Sequence, residues 1–242
     1  MLKDTTVLIT GASAGIGRAT VLAMARAGAH VLAAGRRAHA LDTLARECVA
    51  LGAPIETLAG DITNHEFVDQ LVARAGAIDI LVNNAGVLTY APILETAPED
   101  CEAMFRVNVL ATLRLTQGVA RHMVARAKGH IIMVTSTGAR EVMKFGGVYC
   151  ATKHALSALT RSLRIELQAH GIHVSEVAPG MVRTDIRDGS RHPEVLAAMA
   201  ARTTVPLPPE SVADAIVHVA SSPGAIGCID YLELRPNGVA TH

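Results

Sequence analysis

Short runs of Val, Leu and Ile alternate with longer amphipathic stretches along the whole sequence, and Gly, Asn or Pro follows most of the runs. Apolar runs bounded by turn residues are typical of buried parallel strands, and the intervening stretches have the length of crossover helices. The predicted strands cover residues 6–10, 30–35, 55–59, 78–83, 130–135, 173–178 and 228–234. Because such crossovers are right-handed, we expect one α/β domain over residues 1–242, with a doubly wound, seven-stranded parallel sheet and helices on both faces.

Residues 181–209 break this rhythm, because Gly, His and Pro cluster there around a short Ala-rich helix. Long irregular segments in compact domains are often functional, and ligands of such sheets bind at the carboxyl ends of the strands. The segment is therefore a candidate lid over a substrate site. A surface insertion with no role in the site is the competing interpretation.

A glycine-rich turn, T-G-A-S-A-G-I-G at residues 10–17, follows the first predicted strand and opens a helix predicted at 16–27. Glycines let the backbone turn tightly and approach phosphate groups, and the amino end of a helix offers unpaired N–H groups with a positive dipole. A plain strand-to-helix turn is the alternative when the pattern is taken alone. The turn predicts a diphosphate site at Gly11, Ser13, Gly15, Ile16 and Gly17.

The end of the second predicted strand indicates which dinucleotide would bind. An Asp or Glu there is typical of proteins that bind the ribose 2′-hydroxyl of NAD(H), but Arg36 and Arg37 occupy the place in this chain. Guanidinium groups can bind a 2′-phosphate through charge-assisted hydrogen bonds, so the sequence favours NADP(H) over NAD(H). Two solvated arginines at the start of a helix are the alternative. Ala14 in the glycine-rich turn is uncharged, so binding of a 2′-phosphate would depend on Arg36 and Arg37 alone.

Small and polar residues follow the third and fourth predicted strands at the same edge of the sheet. Asp61 and Ile62 could contact an adenine ring, and the turn that holds Asn84, Ala85 and Gly86 is small enough for a cofactor to lie against its backbone. Structural turns are the alternative interpretation of both motifs.

Tyr149 and Lys153 lie four positions apart at the start of a long predicted helix, so both side chains project from one face. A nearby ammonium lowers the pKa of a phenol from its reference value of about 10, which makes Tyr149 a candidate general acid and base. Ser136, directly after the fifth predicted strand, could hold a substrate oxygen. Asn108 places an amide inside a predicted helix, where it could bond the helix backbone and hold a water that links Lys153 to solvent.

With these motifs in this order, the sequence resembles the short-chain dehydrogenase/reductase family over nearly the whole chain, including the run P-G-M-V-R-T at residues 179–184. The resemblance implies a Rossmann-like fold and NADP(H)-dependent interconversion of an alcohol and a carbonyl. It implies a catalytic tetrad of Asn108, Ser136, Tyr149 and Lys153. The cofactor-binding residues that it adds are Tyr149, Lys153, Pro179, Gly180, Val182 and Thr184.

The resemblance also bears on substrate and assembly. Residues 233–237 (E-L-R-P-N) resemble the branch that contains 3-hydroxy acid (serine) dehydrogenases and clavulanic acid dehydrogenases. The family resemblance also implies a homotetramer, which would pack through the long helices predicted at 98–127 and 149–171. We expect a small carbonyl or alcohol substrate, such as a 3-hydroxy acid or an aldehyde, with Arg140, Lys144 and Arg187 as candidate anion anchors. The alternatives are a reductase of carrier-bound 3-oxoacyl groups and a non-catalytic NADP(H)-binding sensor.

Composition argues against several other classes of function. Lys plus Arg and Asp plus Glu both number 22, and no basic stripe is interleaved with aromatic residues, so no nucleic-acid partner is expected. Four widely spaced cysteines without a C-x-x-C pair predict reduced thiols, no metal site is predicted, and the histidines are interpreted as solvated. With no apolar stretch of membrane-spanning length, we expect a cytoplasmic protein without a membrane partner.

Overall fold

The computed structural model describes residues 2–223 and 227–237. Its strands are β1 (Thr6–Thr10), β2 (His30–Gly35), β3 (Glu56–Ala59), β4 (Ile80–Asn83), β5 (Gly129–Val134), β6 (Ile172–Pro179) and β7 (Tyr231–Leu234). They form one seven-stranded sheet in the order β3-β2-β1-β4-β5-β6-β7, and every neighbouring pair is parallel. The predicted α/β class and the Rossmann-like, doubly wound sheet are therefore confirmed.

The helices are α1 (Gly15–Arg26), α2 (Ala38–Ala50), α3 (His65–Ala73), α4 (Pro98–Phe105), α5 (Thr112–Ala125), α6 (Gly147–Leu167), α7 (Pro193–Ala200) and α8 (Pro209–Ala220). A π-helical segment, Arg106–Ala111, joins α4 to α5. The helix predicted at 98–127 is therefore one helical path with an irregular middle. Within the part of the chain that the structure describes, no helix combines the length and the apolar composition needed to cross a bilayer.

The two faces of the sheet are covered by different helices, as alternation along β1 shows. Val7 and Ile9 belong to a core that they share with residues of α1, α2 and α8, whereas Leu8 belongs to a second core with residues of α3, α5 and α6. All three side chains are fully buried. Successive residues of a strand point to opposite faces, so a strand that is apolar throughout is covered on both sides.

Two strands begin two or three residues later than the sequence predicts, because local hydrogen bonds engage the residues before them. The N–H of Ile78 donates to the carbonyl of Ala75 at the end of a 3-10 turn, and β4 starts only at Ile80. The N–H of Ile229 donates to Oγ of Ser222 at 3.1 Å, and β7 starts at Tyr231 instead of residue 228.

One histidine departs from the expected solvated state. His130 on β5 is buried, and its Nε2 lies 2.7 Å from Oγ of Ser175 on the neighbouring strand β6. Burial lowers the pKa of His130 to about 3, with a smaller contribution from His173. The interpretation of all histidines as solvated is therefore wrong for His130, whose strand is buried on both faces.

The winding of the chain changes direction between β1 and β4, which are neighbours in the sheet. From β1 the chain proceeds outward to β2 and β3, and it then returns to β4 and continues through β5, β6 and β7 on the other side. Helices on opposite faces leave a crevice at such a switch point, outside the carboxyl ends of the strands.

Candidate functional site

A cavity of about 850 Å³ lies in this crevice, and residues directly after all seven strands line it. It brings together most of the residues that the sequence proposed as a site. Two predicted site residues, Gly17 and Asn108, are not among its lining residues. The predicted residues that line it are Gly11, Ser13, Gly15, Ile16, Arg36, Arg37, Asp61, Ile62, Asn84, Ala85, Gly86, Ser136, Tyr149, Lys153, Pro179, Gly180, Val182 and Thr184.

The glycine-rich turn is built for close backbone contact. Gly11 and Gly15 have φ of +67° and +52°, a region that L side chains disfavour. A Cβ atom on Gly17 would lie 2.2 Å from the carbonyl oxygen of Gly11, so this glycine packs α1 against the turn instead of facing the cavity. Ala14, at the N-cap of α1, has no side-chain acceptor to occupy the first N–H groups of the helix. The turn therefore has the features of an anion site.

Arg36 and Arg37 are exposed at the same end of the cavity as the glycine-rich turn. Nε of Arg37 donates to Oγ of Ser13 in that turn at 3.3 Å. The Oδ1 atom of Asp61 accepts hydrogen bonds from the N–H and the hydroxyl of Thr63, both at 2.8 Å. One oxygen of this carboxylate thus fixes the turn after β3, at the edge of the cavity.

Ser136, Tyr149 and Lys153 meet at the other end. The side chains of Tyr149 and Lys153 are buried on the first turns of α6, and Nζ of Lys153 lies 5.7 Å from the centroid of the Tyr149 ring. Nζ also donates to the carbonyl of Val134 at 3.1 Å. Ser136 lies two residues after the end of β5, and hydrogen bonding by its side chain lowers the pKa of Tyr149. The predicted common face for the phenol and the ammonium is therefore present.

The pKa of Tyr149 does not follow the simple expectation that a neighbouring ammonium lowers it. Burial raises the pKa of Tyr149 well above its ordinary value, while the hydrogen bond with Ser136 and the charge of Arg187 lower it by less. Burial also lowers the pKa of Lys153 to about 8, and the charge of Glu176 opposes that change. Because desolvation outweighs the charges here, the phenol is protonated at neutral pH.

Asn108 lies in the π-helical segment and is fully buried. Its Oδ1 accepts from the N–H of Val87 at 2.8 Å, and its Nδ2 donates to the carbonyl of Val87 at 2.9 Å and to Oγ1 of Thr152 at 3.1 Å. The expectation that this amide bonds the backbone of its own helix is wrong. It ties the loop after β4 to α6, because the π-helical turn presents the side chain to both.

Of the three candidate anion anchors, two line the cavity and one does not. Arg140 is not an anchor, because its Nη1 donates to Oε1 of Glu176 at 3.1 Å and its guanidinium stacks 3.7 Å from the centroid of the Tyr231 ring, away from the cavity lining. Lys144 and Arg187 do line the cavity. Nη1 of Arg187 donates to the carbonyl of Val182 at 3.1 Å, and its Nε is buried with no hydrogen-bond partner among the described residues.

Residues 181–209 fold back on themselves and pack against the loop after β4. The N–H of Leu207 donates to the carbonyl of Met181 at 2.8 Å, which brings the two ends of the segment together. The predicted Ala-rich helix is α7, and Val195 of α7 packs in a cluster that includes Tyr149. Oγ of the buried Ser190 accepts from the N–H of Tyr90 at 2.9 Å.

Sequence reasoning missed several residues of the site. Arg235 and Glu141 form an ion pair in the cavity wall although 94 positions separate them, and no local pattern indicates that pairing. Arg202 also lines the cavity, with its guanidinium 5.8 Å from the centroid of the Tyr90 ring. Glu176 does not line the cavity, but it accepts a hydrogen bond from Thr135, which does. It had a detectable signal, because it is an acid within the predicted buried strand H-V-S-E-V-A.

Comparison with known proteins agrees with this geometry. The chain matches the model of the short chain dehydrogenase family over residues 5–195. L-xylulose reductase of Mesocricetus auratus is 42% identical over 180 residues, which are 74% of this chain and 72% of that protein. D-erythrulose reductase of Gallus gallus is 38% identical over 213 residues, or 87% and 84% of the two chains. The closed form of serine dehydrogenase complexed with NADP+ superposes with a TM-score of 0.85 at 32% identity, covering 98% of this chain and 99% of that one.

Proposed function

The chain belongs to the short-chain dehydrogenase family, and from that premise we propose that it is an NADP(H)-dependent oxidoreductase that interconverts an alcohol and a carbonyl on a small substrate. The observation that carries the proposal is the meeting of Ser136, Tyr149 and Lys153 in one cavity with the glycine-rich turn. A proton donor thus shares a cavity with an anion site of the kind that binds dinucleotides.

The residues of the cavity fit such a cofactor. Gly11 and Gly15 let the turn pack closely on the other walls of the cavity, since a Cβ atom on either would lie within 3 Å of Ala85 or Thr184. Arg36 and Arg37 provide the positive charge that a 2′-phosphate requires, which favours NADP(H) over NAD(H). When bound, the cofactor supplies or accepts the hydride.

Tyr149 acts as the general acid in carbonyl reduction and as the general base in alcohol oxidation. Burial keeps its phenol protonated at neutral pH, and Ser136 holds the substrate oxygen toward it. Lys153, with a pKa of about 8, carries its proton at pH 7, so its ammonium stabilises the phenolate that forms as the proton leaves. Asn108 completes the tetrad by holding Val87 and the first turns of α6 together.

The substitution Tyr149→Phe tests this assignment. It removes the transferable proton and leaves the ring, so we expect turnover to fall by about 10²- to 10⁴-fold, while NADPH binding measured by fluorescence titration stays the same. Tyr231→Phe is the matched control, because Tyr231 lies outside the cavity lining, and it should keep turnover within a few-fold. Unchanged turnover in Tyr149→Phe contradicts the proposal, and NADPH binding without any wild-type turnover favours the sensor.

For the substrate, we propose a small polar hydroxy or oxo compound, with carboxylate-bearing members favoured by Arg187. Leu88, Tyr90 and Met143 line the same cavity and provide an apolar wall. Arg187 lines the cavity with a positive charge that suits a substrate carboxylate. The charge of Arg187 acts on Tyr149, which indicates that the two are close. Two of the relatives named above are reductases of ketoses, which are neutral, and the third is a serine dehydrogenase, whose substrate carries a carboxylate.

NADPH oxidation across ketoses, aldehydes, 3-oxo acids and a 3-oxoacyl thioester would identify the class. We expect Arg187→Gln to raise KM for 3-oxo acids about tenfold, as the loss of a charged hydrogen bond of about 1.5 kcal/mol predicts, with little change for neutral ketoses. Lys144→Gln is the control for charge in the same cavity. Equal effects of Arg187→Gln on acidic and neutral substrates would rule out the anchor.

We also propose a homotetramer that packs through α4, α5 and α6. Leu110, in the π-helical segment between α4 and α5, is 62% exposed, and Ile165 on α6 is 78% exposed. Phe105 on α4 is 39% exposed, so this face offers apolar side chains to a second copy of the chain. Sedimentation analysis should give a tetramer, and a charge introduced by Leu110→Glu or Ile165→Glu should dissociate it.

The four free cysteines support a reducing, cytoplasmic location.

A further inference from the structure

A buried carboxylate lies behind the catalytic end of the cavity without lining it. Glu176 sits in the middle of β6 and is 1% exposed. Removing a carboxylate from water is costly unless hydrogen bonds and opposite charge compensate for the lost hydration. A strand that is otherwise buried and mostly apolar could accommodate an apolar residue here at lower cost, so the acid calls for a specific explanation.

Three donors satisfy Glu176, and each comes from a different element. Oγ1 of Thr135, after β5, donates to Oε1 at 2.8 Å, and Nη1 of Arg140 donates to the same oxygen at 3.1 Å. Oγ of Ser157, on α6, donates to Oε2 at 3.0 Å. One carboxylate therefore ties the end of β5, the segment after it and α6 to β6.

These three elements carry the proposed catalytic side chains. Thr135 directly precedes Ser136, and Ser157 lies one helical turn after Lys153 on α6. The segment that contains Arg140 leads from Ser136 to the start of α6. The spacing between the serine hydroxyl and the lysine ammonium therefore depends on bonds to Glu176.

The charge of Glu176 also acts on Lys153. Burial lowers the pKa of Lys153 to about 8, and the negative charge of Glu176 is the influence that raises it. Nζ of Lys153 has a neutral neighbour in the carbonyl of Val134, which accepts its hydrogen bond at 3.1 Å. The ammonium therefore depends on the carboxylate for charge compensation.

The other charged and titratable groups around the pair do not replace Glu176. Tyr149 faces Lys153 from the same helix, and burial keeps it protonated and neutral. Arg140 carries the opposite charge to Glu176, but its side chain is 40% exposed, so solvent screens it more than the buried carboxylate. Tyr231 lies under Arg140, and Glu233 is paired with Arg235.

We propose that Glu176 is a positioning residue for the reaction: its ionised carboxylate fixes the end of β5 against α6 and keeps Lys153 protonated. The inference rests on the proposed role of Lys153 in proton transfer. With this role, β6 contributes to the site through Glu176 within the strand as well as through Pro179 and Gly180 at its end.

The test is Glu176→Gln, which keeps the shape of the side chain and removes the charge. Without the nearby negative charge the ammonium is less stable, so Lys153 should lose its proton at a lower pH. We expect the alkaline limb of the pH profile for carbonyl reduction to move down by about one pH unit.

A second readout does not depend on turnover. The lysines of the chain are Lys3, Lys128, Lys144 and Lys153, so NMR of protein labelled at the lysine ε-carbon gives a spectrum simple enough to follow each titration, with Lys153→Met for assignment. The midpoint of Lys153 should fall in Glu176→Gln by the same amount as the kinetic limb. If the midpoint shifts but the wild-type protein shows no turnover, the effect of Glu176 on Lys153 is supported and only the proposed function fails.

Two control variants separate charge from structure. Ser157→Ala removes one hydrogen bond and keeps the carboxylate, so it should leave both midpoints in place, and Glu176→Asp should restore most of the wild-type limb. If Glu176→Gln fails to fold, the pair Glu176→Gln with Arg140→Met removes both charges together and leaves neither unpaired. An unmoved Lys153 midpoint in Glu176→Gln, alone or combined with Arg140→Met, would overturn the proposal, and so would a loss of activity in Glu176→Gln that is equal at every pH.

Discussion

The two ends of the cavity are built in different ways. At the nucleotide end, the backbone of a glycine-rich turn meets the loop after β4, with Nδ2 of Asn84 donating to the carbonyl of Thr10 at 2.9 Å. At the substrate end, side chains from separate segments meet, as in the bond between Tyr90 and Ser190, which lie 100 positions apart. The first end depends mainly on glycines that let backbone segments meet closely, and the second depends on particular side chains. Substitutions should therefore damage the two ends in different ways.

The largest effect should follow from Gly17→Ala at the nucleotide end. The new Cβ atom would lie 2.2 Å from the carbonyl oxygen of Gly11, and a backbone atom cannot rotate away. We expect NADPH affinity to fall by at least about 100-fold and the free energy of unfolding to fall by about 1–3 kcal/mol. Fluorescence titration and denaturant unfolding measure the two quantities.

Gly76→Ala is the matched control, because a Cβ atom there has no neighbour within 4 Å. It should change neither NADPH affinity nor stability by a measurable amount. Wild-type NADPH affinity in Gly17→Ala would break the comparison, since it would mean that the turn tolerates side chains.

An intermediate effect should follow from removing the guanidinium groups at the rim of the nucleotide end. The double substitution Arg36→Ala and Arg37→Ala should raise KM for NADPH by about 10- to 100-fold, as the loss of charged hydrogen bonds worth about 1.5–3 kcal/mol predicts, and should leave KM for NADH nearly the same. Arg46→Ala, an exposed arginine on α2, is the control. A parallel change for both nucleotides would show that these arginines do not recognise the 2′-phosphate.

The smallest effect should follow from Ser190→Ala at the substrate end. The N–H of Tyr90 loses its acceptor, which weakens the contact between residues 181–209 and the loop after β4 by about 1 kcal/mol. We expect KM for the carbonyl substrate to rise about fivefold while NADPH affinity stays the same. Ser162→Ala, on the exposed side of α6, is the control. Equal losses of substrate and NADPH affinity would mean that the two ends are not independent.

The same contrast explains how far the sequence could be interpreted. The parallel sheet and the glycine-rich turn follow from patterns within short windows, and so does the common face of Tyr149 and Lys153. The role of Arg140 could not be predicted, because its partners Glu176 and Tyr231 come from distant strands that only the sheet order brings together. The pKa of Tyr149 was predicted with the wrong sign because a sequence shows a neighbouring charge but not the burial that outweighs it.

The π-helical segment before α5 has a consequence for how this chain can vary in length. A helix turns about 100° per residue, so one residue more or less within 106–111 would rotate everything after it by that angle. Deleting a residue there would give a regular helix and either swing the Asn108 amide away from Val87 or turn the apolar stripe of α5 out of the core. Related chains that keep both contacts must therefore keep the spacing between α4 and α5, even where the loops on either side differ in length.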